Sequence, residues 1–115
     1  MQQRNIPVIY KFLSYRIQHA LGVAREQTSR IQAKFFYDDY VKWAHDRGHS
    51  TVTTTLSKFG GDLRDLIAQL RNEEVSLQGA LEKHARSYGN EYTVKWEALR
   101  EYMQKSALYD PNAGD

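Results

Sequence analysis

"LEKHARSYGNEYTVKW" occupies residues 81–96. Two short runs flank "SYGN", and Gly89-Asn90 is a turn signal. Tyr92 and Val94 alternate with Thr93 and Lys95, the period of a strand with one buried face. The pattern predicts a β-hairpin with strands near 82–87 and 91–96, turning at Tyr88–Asn90. The regions on either side read mainly as helix, so this hairpin decides the fold class.

Upstream, Ile6, Ile9, Phe12, Leu13, Ile17, Ala20 and Leu21 recur at three- and four-residue steps. They predict an amphipathic helix over 6–21, with Asn5 as N-cap, Pro7 in the first turn and Gly22 at the end. Residues 22–30 read as a polar loop, and 29–33 as a very short strand or a lead into the next helix. Phe36, Tyr40, Trp43 and Ala44 share one face of a second helix, 33–47, closed by Gly48. Residues 49–56 read as extended, ending in a Thr54 or Thr55 N-cap. Leu56, Phe59, Leu63, Leu66, Ile67 and Leu70 form the stripe of a third helix over 55–70. Residues 71–80 fit a short helix or a loop. After the hairpin, Trp96, Leu99, Tyr102 and Met103 predict a last helix to about 107. The predicted core joins Phe12, Phe36, Tyr40, Trp43, Leu56, Phe59, Leu63 and Leu66.

This order gives a mainly α fold with a small β-hairpin (α+β). Three helices followed by a hairpin wing and a C-terminal helix is the order of a winged helix. In such domains the third helix enters the DNA major groove and the wing lies beside it. Residues 1–108 are read as that domain, and 109–115 as a polar tail that frays.

Composition narrows the function classes. The chain has 115 residues and 41% apolar content, enough for one modest core. Cysteine is absent, which removes disulfide frameworks and thiolate zinc sites. No apolar run approaches a membrane span, and no signal peptide is visible. The formal net charge is +2, unevenly spread. The first thirty residues carry Arg4, Lys11, Arg16, Arg25 and Arg30 against Glu26 alone, a basic footprint for an anionic partner. His45 and His49 have a metal-ligand spacing, but Gly48 ends the helix between them and no third ligand is indicated. Asp38, Asp39 and Asp46 lack an accompanying nucleophile or base. No cofactor, metal or small-molecule substrate is expected.

The stretch "FFYDDYVKWAHDRGHSTVTTTLSKFGGDL" (35–63) resembles a module of primase–helicases from phages, plasmids and large DNA viruses. Tyr37, Tyr40 and Trp43 match its Tyr-x-x-Tyr-x-x-Trp pattern. Gly48 matches the glycine that follows, and Phe59, Gly60 and Leu63 match Phe-Gly-x-x-Leu. "IPVIYKFL" and "EYTVKWEALREYM" are similar to the segments that bracket the module, so the resemblance covers roughly 6–105. It implies a winged-helix accessory domain that holds duplex or fork DNA, inside a cell at sites of replication. It carries no chemistry over, because the chain lacks a phosphate-binding loop and a magnesium-binding acidic pair. The chain reads as a domain of a longer replication enzyme or as a relative that stands alone.

The candidate DNA contacts are Ser57, Lys58, Gly61 and Arg64 on the third helix, away from its apolar stripe, with Lys83, His84, Arg86, Tyr88 and Lys95 on the hairpin. Asp62 and Asp65 complicate that face, since carboxylates repel phosphates. Gly60 and Gly61 each cost a helix interior about 1 kcal/mol relative to alanine. Gly60 is expected either at a tight helix crossing or at a point of close approach, and Gly61 either where a ligand backbone comes near or at a bend in the helix. The rival partner is a protein: the helicase core, a neighbouring subunit or another replication protein.

Overall fold

The computed structural model describes residues 5–49 and 54–114. The elements run α1 (Val8–Gln18), a π-helical continuation (His19–Ala24), β1 (Thr28–Gln32), α2 (Ala33–Asp46), α3 (Leu56–Leu70), α4 (Val75–Gln78), β2 (Leu81–Arg86), β3 (Gly89–Lys95) and α5 (Trp96–Lys105). The fold is α+β; the described residues form five α-helices and one antiparallel sheet of strand order β1-β3-β2. Among the described residues, no helix is long and apolar enough to cross a membrane.

β3 is the central strand. Its Tyr92 pairs with Ile31 of β1 and with Lys83 of β2. Tyr92 and Val94 are buried beneath the helices, while Glu91, Thr93 and Lys95 point to the other face. Trp96 closes the corner to α5: it is fully buried, and its indole N–H donates to the Ser29 hydroxyl over 2.7 Å.

The core is aromatic at its centre. Phe12 of α1, Phe36 and Tyr40 of α2, and Phe59 of α3 form one cluster of rings. The Phe59 centroid is 5.4 Å from that of Phe36 and 5.2 Å from that of Tyr40. Leu63, Leu66 and Leu70 extend the seam toward Leu77, Leu81 and Met103. The caps follow local chemistry. The Thr55 hydroxyl accepts the Lys58 amide over 3.1 Å and starts α3. Gly48, at φ +79°, ends α2, with the His49 amide donating to the Ala44 carbonyl over 2.7 Å.

Several boundaries differ from the sequence expectation. α1 begins after Pro7, which is its N-cap residue, and no side-chain cap bond forms there. The helix does not stop at Gly22 but widens into the π-turn and ends at Arg25, whose φ is 55°. The Glu26 amide then closes onto the Ala20 carbonyl over 2.8 Å. Residues 22–30, expected as a loop, therefore hold the last π-turn and the first half of β1. Leu56 is 45% exposed rather than core, because it opens α3 one turn before the packed face begins. The hairpin turns at Ser87–Tyr88, with Arg86 opposite Gly89, so Gly89 at φ +115° opens β3 instead of occupying the loop. Of the extended stretch expected at 49–56, residues 50–53 lie outside the described residues.

The described part of the tail, expected to fray, is packed against α1. The Asp110 amide donates to the Ser14 hydroxyl over 2.9 Å, and Gln18 bonds both the Asp110 carbonyl and the Gly114 amide. Ala113 is buried. Ser14 itself donates to the Tyr10 carbonyl over 2.7 Å, so this buried hydroxyl is fully used.

Two outcomes follow from this packing. Phe59→Ala should cost about 3–5 kcal/mol in denaturant unfolding, whereas Leu56→Ala should stay within about 0.5 kcal/mol. Equal effects would mean that α3 is rotated from the phase described. Burial pushes the Tyr10 phenol up to about 12, helped by Tyr102, Asp62 and Asp65, and it also raises Tyr40 and Tyr92. A raised phenol pKa favours the folded state fully below the ordinary value of 10.0, and that contribution is lost as pH climbs through the raised values. Stability should therefore fall from about pH 10 upward; a flat alkaline profile of the unfolding midpoint would contradict the burial of these three phenols.

Candidate functional site

The Phe59 seat fixes the rotation of α3. At about 100° per residue, Ser57, Gly60, Gly61 and Arg64 turn toward the hairpin, and Lys58, Asp62, Asp65 and Gln69 turn the other way. The two flanks differ in charge. The acids that complicate the helix in sequence lie on the flank facing α1, beside Pro7, Ile9 and Tyr10.

Between the other flank and the hairpin runs a groove of about 540 Å³. Its cations are Lys34 at the start of α2, Arg64 on α3 and Lys83 on β2, and none of the described residues lining it is acidic. Ser57 and Asn90 add neutral polar groups. Arg64 and Lys83 also border the next hollow along the seam, where Arg71 joins them beside Glu82. The basic character therefore runs along the contact line between α3 and β2.

Tyr88 stands at the groove mouth on the hairpin turn, 56% exposed. Its hydroxyl donates to the Glu91 carboxylate over 2.8 Å, and Arg86 approaches the same carboxylate at 3.4 Å. The Tyr88 bond, seconded by the Arg86 charge, holds the Glu91 carboxyl below its usual range. The Tyr88 ring is thus anchored by its hydroxyl with a face left open to solvent.

The two glycines form the α3 wall of the groove. A Cβ on Gly60 would lie 3.9 Å from the Tyr92 hydroxyl, and one on Gly61 would lie 4.0 Å from an Arg64 guanidinium nitrogen. Neither meets a neighbouring helix, so the expected tight crossing at Gly60 is not there: Gly60 faces the sheet, across a gap. Packing does not demand the glycines. What they provide is depth, since a longer side chain at 60 would cover the Tyr92 hydroxyl.

Of the residues singled out from sequence, Ser57, Gly61, Arg64, Lys83 and Tyr88 line this groove together. Four do not. Lys58 lies on the acidic flank. His84 sits opposite Glu91 on the outer face of the sheet. Arg86 is held at Glu91. Lys95 lies at the far end of the hairpin, beside Gly79. Sequence reasoning missed Lys34, Asn90 and Tyr92. Tyr92 reads as a core position because its ring is one, and only the geometry shows its hydroxyl reaching the groove.

A second hollow, about 460 Å³ between α1 and α2, has mixed charge. Arg16 is bonded there to Asp39 over 2.6 Å, and Arg47 lies over the Tyr15 ring. His49 stacks on Trp43. Among the described residues, no three His, Asp or Glu side chains gather where they could hold a metal. In comparisons with known proteins, no protein family, no curated protein and no solved structure matches this chain.

If the glycines serve the groove and not the packing, Gly60→Ala and Gly61→Ala should each raise stability, by up to about 1 kcal/mol. Thermal melts of the two variants check this. A lower melting temperature for either would mean that the wall is closer to its neighbours than 3.9 Å implies.

Proposed function

We propose that this chain is a winged-helix domain that binds DNA in the groove between α3 and the β2–β3 hairpin. In that description β1, β2 and β3 are the sheet, the hairpin is the wing and α3 is the recognition helix. One observation carries the proposal: Lys34, Arg64 and Lys83, from three separate elements, converge on a groove whose described lining has no carboxylate. Such a surface suits a chain of phosphates, because each cation neutralises one charge and releases counterions. The domain performs no chemistry of its own. With the sequence resemblance to primase–helicase modules, its role is to hold DNA beside a replicative helicase in a phage or virus.

Protein docking is the second reading, favoured by the exposed Leu56 and Tyr88 at the groove edge. A protein partner would bury these apolar groups and depend less on salt.

Titration with labelled DNA at several salt concentrations separates the two. Binding should weaken steeply with salt, and Lys34→Ala, Arg64→Ala or Lys83→Ala should each flatten the log–log slope by about one unit. Lys58→Ala, on the acidic flank, should change the slope least. Absence of DNA binding at low salt, or a slope that none of the four variants changes, would favour protein docking.

A further inference from the structure

We infer that the groove receives a single strand of DNA rather than the side of a duplex, with a phosphate seated on the Tyr92 hydroxyl beneath Gly60. This rests on the DNA-binding reading above and specifies its ligand.

The first support is the hydroxyl itself. Tyr92 is only 1% exposed, yet it lines the groove. Among the described residues no group hydrogen-bonds its hydroxyl. Its phenol is raised by burial alone, with no charged or hydrogen-bonding neighbour contributing. The hydroxyl is not sealed in the core but opens at the floor of a basic groove, where it can exchange water for a ligand acceptor. Gly60 keeps the way to it open. A phosphate oxygen there would accept from Tyr92 while its charge is met by Arg64 and Lys83.

The second support is the acidic flank of α3. A recognition helix inside a major groove lies between two phosphate backbones, about 12 Å apart. One flank of α3 offers Arg64, but the other presents Asp62 and Asp65, which would face the second backbone. A single strand passing only along the hairpin side avoids them.

The third is the groove mouth. Tyr88 and Leu56 present open apolar surface there. Unstacked bases lie against such surfaces, whereas a duplex keeps its bases stacked inside. The Glu91 bond fixes the Tyr88 ring in place for this.

The experiment compares a short fluorescein-labelled oligothymidine with a duplex of equal length by anisotropy, at one low salt concentration. The wild-type domain should bind the single strand at least tenfold more tightly. Tyr92→Phe removes a hydroxyl that no described residue hydrogen-bonds, so the melting temperature should hold while single-strand affinity falls by about tenfold, the loss of one hydrogen bond to a charged group. Gly60→Leu, which covers the hydroxyl, should lower single-strand affinity at least as much. Tighter binding of the duplex, or folded Tyr92→Phe and Gly60→Leu variants with wild-type single-strand affinity, would overturn this inference and leave the DNA-binding reading standing. Binding of neither probe would overturn both.

Discussion

The seating of Phe59 among Phe12, Phe36 and Tyr40 is the contact on which the rest depends. It locks α3 against α1 and α2 through aromatic edges and faces. Because a helix has one rotation, fixing Phe59 inward fixes every other side chain on it. Gly60, Gly61 and Arg64 then face the hairpin, and Asp62 and Asp65 face away. The division of α3 into a basic, recessed flank and an acidic flank is thus a consequence of core packing.

The sheet supplies the other wall. β3 is central, so its Tyr92 is packed on both sides by Ile31 and Lys83 and cannot swing away. The same ring that belongs to the core presents its hydroxyl at the groove floor. β1 leads directly into α2 and carries Lys34 to the same place. Three elements distant in sequence contribute one cation each, a convergence that strand pairing and the Phe59 seat together impose.

Much of the fold is legible from residue spacing. The α2 and α3 stripes, the Thr55 cap and the Gly48 stop all act locally, within one helical turn, so the sequence displays them. The hairpin is legible from the alternation of Tyr92 and Val94, but its turn is displaced because Gly89 is used at a strand opening. The π-turn at 19–24 has no local signature: Gly22 reads as a stop, yet the chain ends the helix at Arg25. The tail's packing depends on Ser14 and Gln18, 92 to 96 residues away in sequence, and no local pattern reveals that. The candidate site divides in the same way. Ser57, Gly61 and Arg64 follow from helix phase, and Lys58 is misplaced because a face read off a stripe does not distinguish its two flanks. Lys34 and the Tyr92 hydroxyl enter only through the sheet order.

The central claim is that the glycine-walled groove, and not the outer face of α3, is where the ligand sits. An amide-resolved NMR titration of the domain with a short single-stranded oligonucleotide tests it most directly. The largest shifts are expected at the Gly60 and Gly61 amides, with Lys83 and Asn90 moving alongside and the Lys58, Asp65 and Gln69 amides nearly still. Shifts centred on the Lys58–Asp65 flank, or on the hollow between α1 and α2, would contradict it.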